Sequence, residues 1–156
     1  QVDGIFTAAE SEDGLIVGHR LMDSGNYELA MKAYYRAALE QGMTTDLLSA
    51  LGSANLKLGR LNQAESLLRK ATEEDPTYVP AWNNLGVVLF EMGKSSEAMR
   101  VFRTAFALDG AATPSIRENL RLALAKMENP AYTPVDNHNF DLVRRGSGTY
   151  QLLATP

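Results

Sequence analysis

The sequence predicts an all-α solenoid of paired helices, on three observations. Small residues recur at a fixed spacing of 34 residues, larger apolar residues keep the same spacing, and each period divides near its middle at a glycine. Self-similarity of this length marks a stack of supersecondary units, none of which can bury its apolar face alone.

Gly18, Gly52 and Gly86 form one series and Gly25, Gly59 and Gly93 a second. Ala30, Ala64 and Ala98 form a third, and Ala37, Ala71 and Ala105 a fourth. The larger positions follow: Val17, Leu51 and Leu85; Met22, Leu56 and Phe90; Tyr34, Leu68 and Phe102. Within each unit apolar residues fall three and four apart on either side of the middle glycine, which reads as two helices joined by a turn. That glycine suits a helix C-terminus, where a left-handed backbone costs it little. The first glycine falls inside a helix, where it is disfavoured by ~1 kcal/mol relative to Ala, so close helix approach is the expected reason for it.

The third unit carries the pattern most fully, with Trp82, Leu85, Gly86, Ala98, Phe102 and Ala105 after Pro80-Ala81. The second has Leu51, Gly52, Ala64, Leu68, Ala71 and a closing Pro76. In the first, Gly14 stands where the third has Trp82, so its opening turn is expected to fray, while Gly18, Tyr27, Ala30, Tyr34 and Ala37 follow the pattern. Over Ser11 to Ala112 the chain resembles the tetratricopeptide-repeat family, and the resemblance implies a right-handed α-α superhelix of about three repeats.

The expected organisation is an N-terminal extension over 1–10, repeats over 11–44, 45–78 and 79–112, a capping helix over 113–129 and a tail over 130–156. Pro114 suits a first helical turn and Asn129-Pro130 a stop. Between them Ile116, Leu120, Ala123, Leu124 and Met127 share one face, as expected of a helix covering the end of the stack. In the tail, Phe140–Arg144 and Thr149–Leu153 flank Arg145-Gly146-Ser147-Gly148, which predicts a short β-hairpin. Such a hairpin is marginal alone and must dock on something.

Length and composition fit this picture. A chain of 156 residues, 45% hydrophobic and 22% charged, suits one globular domain. The net charge is −4, with 10 basic and 15 acidic residues up to Thr113 and 5 and 4 beyond it, so no nucleic-acid partner is expected. The absence of cysteine excludes disulfides and thiolate metal sites and leaves the redox compartment open. No apolar run approaches the ~20 residues of a membrane-spanning helix. The start at Gln1 rather than Met is expected of a chain whose upstream segment, a signal peptide or a trimmed flank, was removed.

In the resembled family the first helix of each pair lines a concave groove that binds another polypeptide. Carried over, this implies a peptide-binding face of Leu15, His19 and Met22, then Ser49, Ser53 and Leu56, then Asn83, Asn84, Val87 and Phe90, closed by Arg117 and Arg121. The competing reading of Met22, Leu56 and Phe90 is interior packing, that of Asn84 a feature of repeats in general, and that of Arg117 and Arg121 a solvated face. One subclass of the family grips acidic chaperone tails with a clamp of Lys, Asn and Arg. At the matching positions this chain has Leu15, His19, Ala50, Ser49, Ser53 and Asn84, so the lysines are missing and that ligand is not expected.

No enzyme, cofactor or metal is predicted. His19 and His138 belong to no short-spaced zinc pair, Arg145–Gly148 lacks the lysine and following helix of a phosphate loop, and no nucleophile motif is present. The expected function is a scaffold or adaptor holding a partner protein or peptide segment. Few repeats, a truncated last unit and a Tyr/Leu-rich tail also resemble the bacterial tight-adherence pilus-assembly lipoproteins and related secretion proteins. That resemblance implies a periplasmic, outer-membrane-anchored protein where a signal was removed, and the alternative is a cytoplasmic adaptor. The competing function is self-assembly, a homo-oligomer or closed monomer whose 131–156 tail occupies its own or a neighbour's groove.

Overall fold

A computed structural model of the chain describes residues 14–132 and 139–145. Seven helices make up the first stretch. Helix α1 covers 14–23 of the described residues. It is followed by α2 (Tyr27–Gln41), α3 (Thr45–Lys57), α4 (Leu61–Glu74), α5 (Val79–Glu91), α6 (Ser95–Asp109) and α7 (Pro114–Glu128). Consecutive helices from α2 to α7 pack on one another, and α3 also touches α5, so alternate helices form an inner layer. The architecture is the all-α superhelix expected from the repeat.

The interior glycines show why the repeat needs them. A Cβ on Gly86 would lie 2.7 Å from the Phe102 ring, one on Gly52 2.6 Å from Leu68, and one on Gly18 2.2 Å from the Tyr34 ring. Each glycine thus seats the large side chain of the following helix, and Tyr34, Leu68 and Phe102 are all buried. The glycines of the turn series differ: Gly25, Gly59 and Gly93 have open space around them but φ near +80°, where other residues are strained. The alanines of both 34-residue series are fully buried at the helix crossings. Gly14 is likewise packed, its absent Cβ falling 2.8 Å from that of Ala37, while the expected fraying before it concerns residues outside those described.

Local signals set the helix ends. Thr44 Oγ1 accepts from the Leu47 amide at 3.2 Å and caps α3, satisfying one of its free N–H groups. Proline stands in the first turn of both α5 and α7, and the Trp82 indole ties α5 to the preceding loop by donating to the Pro76 carbonyl at 2.8 Å. Between α4 and the next pair, Arg69 bridges Glu65 and Glu97, and Lys94 reaches Glu65. These ion pairs are partly exposed and add little beside the buried contacts.

Ile116 and Ala123 of α7 are buried against the stack, whereas Leu124 and Met127 are 38% and 41% exposed. The predicted apolar face is therefore only half covered. The segment 139–145 has no regular secondary structure; of the hairpin expected there, Thr149–Leu153 lies outside the described residues.

Gly86→Ala tests the packing argument. Helix propensity alone favours the change by ~1 kcal/mol, whereas overpacking against Phe102 costs about 1–3 kcal/mol. Urea denaturation should show net destabilisation, and equal or greater stability would contradict the contact.

Candidate functional site

The inner layer of α1, α3, α5 and α7 forms a groove, and the chain's own residues 139–145 lie in it. Two asparagines hold the backbone of this segment. The Val143 N–H donates to Asn84 Oδ1 at 2.9 Å, and Asn84 Nδ2 donates to the Val143 carbonyl at 2.9 Å and to Ser53 Oγ at 3.0 Å. The Asp141 N–H donates to Asn119 Oδ1 at 2.8 Å, and Asn119 Nδ2 donates to the Asp141 carbonyl at 2.7 Å. Asn83 links the two by donating to the Asp141 carbonyl and to Asn84 Oδ1 while accepting from Asn119. All three asparagines are fully buried. A primary amide carries both a donor and an acceptor, so it pairs with a residue's N–H and C=O as a neighbouring strand would. The backbone groups at 141 and 143 are thus satisfied by side chains of the solenoid rather than by a neighbouring strand.

Side chains of the segment fill the groove. The Phe140 ring stacks on Phe102 with centroids 5.2 Å apart and tilts against Phe90 at 5.1 Å. Leu142 and Val143 are each 1% exposed. At the α1 end the Arg144 guanidinium makes a forked pair with Asp23, at 3.2 and 3.3 Å, and donates to the His19 carbonyl. Arg145 lies 4.8 Å above the Tyr78 ring and 3.8 Å from Asp46, to which the Tyr78 hydroxyl also donates. The segment therefore runs from α7 back towards α1, against the order of the repeats.

The groove residues expected from sequence fall into three groups. Leu15, His19, Ser49 and Ser53 line the end around Val143 and Arg144. Leu56 and Val87 lie beside Phe140 and Leu142, with Phe90 on the Phe140 ring and Asn83 and Asn84 on the backbone. Met22 instead belongs to the interior at 3% exposure, and Arg117 and Arg121 are exposed, Arg121 pairing with Glu118 on its own helix. Sequence reasoning missed Asn119, which does the work assigned to those arginines. Helix α6 has 15 residues where α4 has 14, so α7 starts one residue later than a strict 34-residue register would place it. One residue is about 100° of helix rotation, enough to carry Arg117 and Arg121 off the inner face and bring Asn119 onto it. A one-residue shift that aligns Asn84 with Asn119, Val87 with Leu122 and Val88 with Ala123 was the available signal.

His19 is more than an incidental polar residue. Its Nδ1 lies 2.8 Å from the Tyr34 hydroxyl, and its ring meets the Tyr34 ring edge-on. Burial, then the Arg144 guanidinium, lowers its pKa from 6.5 to about 4, against the opposing fields of Asp23 and Asp46. His138 lies outside the described residues, and among those described no group of three His, Asp or Glu could hold a metal. No helix among them is long and apolar enough to cross a membrane.

The His19 shift predicts a pH dependence. The unfolded chain takes up this proton near pH 6.5, and the folded chain resists until about 4. The resulting stability is full above 6.5 and falls with pH through that window, by about 2 kcal/mol between pH 6.5 and 5. Denaturation midpoints for the intact chain should drop over that interval, and His19→Gln should flatten the drop. Parallel profiles for the two chains would contradict the assignment.

Comparison with known proteins agrees with the geometry. Residues 55–114 match the tetratricopeptide repeat family. The chain is 26% identical over 127 residues to small glutamine-rich tetratricopeptide repeat-containing protein 2 of Saccharomyces cerevisiae, covering 81% of this chain and 37% of that protein. It thus spans little more than a third of that relative's length. Among solved structures it resembles the Sgt2 TPR domain from Aspergillus fumigatus, with a TM-score of 0.71 at 24% identity over 90% of this chain and 92% of that one. It also resembles the first TPR of Spaghetti (RPAP3) bound to the HSP90 peptide SRMEEVD, with a TM-score of 0.67 at 19% identity over 78% and 95% of the two chains. The match to the tetratricopeptide repeat family thus covers 55–114, and the helical array as a whole shares the fold of tetratricopeptide-repeat domains.

Proposed function

We propose that the chain is a non-enzymatic protein-interaction adaptor whose concave face binds an extended segment of a partner polypeptide. The observation that carries this reading is the paired hydrogen bonding of Asn84 and Asn119 to the backbone at residues 143 and 141, a geometry that accepts an extended chain whatever its side chains. Structural neighbours such as Spaghetti (RPAP3) with its HSP90 peptide hold peptides on the same fold, which supports the class of ligand. Their acidic peptide is a poor guide to the sequence bound here, because Asp23 and Asp46 make one end of this groove negative.

The setting we propose is pilus assembly or secretion in a bacterial envelope. Its support is the architecture of few repeats, one closing helix and a Tyr/Leu-rich tail. A lipidated cysteine upstream of Gln1 in the full-length product would support that setting, and an unmodified cytoplasmic product would remove it.

Occupancy by the chain's own segment makes partner binding a competition. A tethered segment worth about 3 kcal/mol in the closed state raises a partner's apparent Kd roughly 100-fold. Three full-length chains, intact, Phe140→Ala and Asn84→Leu, can be compared in pull-downs from the source cell read by mass spectrometry. Phe140→Ala should enrich a discrete partner at least tenfold over the intact chain, and Asn84→Leu should lose it. A partner set indifferent to Asn84→Leu would contradict groove binding.

A further inference from the structure

The groove does more than accept a backbone, because each side chain of the segment it holds meets a dedicated surface. Asn119 and Asn84 engage residues two apart, which fixes the register of an extended chain. In that register the first residue of the stretch is an aromatic ring held between Phe90 and Phe102. The second is the buried Asp141, whose charge acts on that of Lys57, and the third and fourth are the fully buried aliphatics Leu142 and Val143. The fifth is an arginine whose two nitrogens meet the two carboxylate oxygens of Asp23 while its side chain is only 13% exposed. The backbone ladder ends where the arginines begin, since Ala50 stands 34 residues before Asn84. Beyond that point charge and stacking on Asp23, Asp46 and Tyr78 replace amide pairing.

We infer that the partner segment this groove selects is extended and reads aromatic, acidic, aliphatic, aliphatic, arginine, running from α7 towards α1, and that residues 140–144 are the chain's own copy of it. This rests on the adaptor reading and gives it a ligand chemistry. The ligand is basic at its leading end, the opposite of an acidic carboxyl-terminal peptide. A forked Arg–carboxylate pair shielded from water is geometrically selective, so a lysine there loses one of the two bonds and a glutamate is repelled.

The probe is a labelled synthetic peptide, HNFDLVRRG, copying His138 to Gly146. It is titrated into the full-length chain carrying Phe140→Ala and Arg144→Ala, which weaken the resident segment, with the helical circular dichroism signal checked against the intact chain. The copy should bind with a Kd on the order of 10–100 µM, as a single short segment can. Replacing its phenylalanine by alanine or its first arginine by glutamate should weaken it at least tenfold. Asp23→Arg in the chain should reverse the preference between the arginine and glutamate peptides. A scrambled or charge-reversed peptide that binds as well as the copy, through an Asn84-dependent site, overturns the motif and leaves the adaptor reading standing. Failure of every peptide to bind, or binding indifferent to Asn84→Leu, overturns both. A resident-segment version needs no opened chain. In the otherwise intact protein, Arg144→Glu should raise amide exchange at Val143 at least tenfold, and adding Asp23→Arg should restore protection. Exchange unaffected by either change overturns the motif.

Discussion

The amides of Asn84 and Asn119 are the point on which the occupied groove depends. Around them lie the buried N–H and C=O groups of two residues of an extended segment, and each such group left without a partner would cost about 1–3 kcal/mol. Helices cannot supply backbone partners to a passing chain, since their own amides are spent on the helix. Side chains with both a donor and an acceptor are the remaining solution, and Asn83 and Ser53 complete the bonding so that neither amide has an idle group. With the backbone of residues 141 and 143 paired, Phe140, Leu142 and Val143 bury their apolar surface in the groove.

That groove exists because the repeat brings helices unusually close. Gly18, Gly52 and Gly86 let Tyr34, Leu68 and Phe102 press onto the preceding helix, and Phe102 in turn offers the face on which Phe140 stacks. The packing residue of the third repeat is therefore also a floor of the binding surface. A single side chain links the stability of the solenoid to the character of its ligand.

Most of the fold was legible because the 34-residue spacing reports packing directly: a glycine at Gly86 has one good reason to stand inside a helix. The places of Leu15, His19, Ser49, Ser53, Asn83 and Asn84 on α1, α3 and α5 followed from the same register, while Met22 turned into the interior instead. What the register could not convey was its own break. One extra residue in α6 turned α7 by about a quarter of a helical circuit, so that extrapolation pointed to Arg117 and Arg121 and passed over Asn119. The Gly-rich turn after Phe140–Arg144 also spoke for a strand, which is correct about extension but silent about the partner. Whether an extended chain meets another strand or a row of amides is decided by tertiary placement, as for Asp141 and Val143.

The central claim is that residues 139–145 of the free chain lie extended in its own groove, their backbone read by asparagine side chains. The most direct measurement is a solution NMR spectrum of the intact chain at low concentration, searching for cross-peaks from the Phe140 ring to those of Phe90 and Phe102 and from the Val143 amide to the Asn84 side chain. The account predicts both sets of cross-peaks at a monomeric mass. Random-coil shifts through 139–145, with Asn84 and Asn119 free of them, would contradict it.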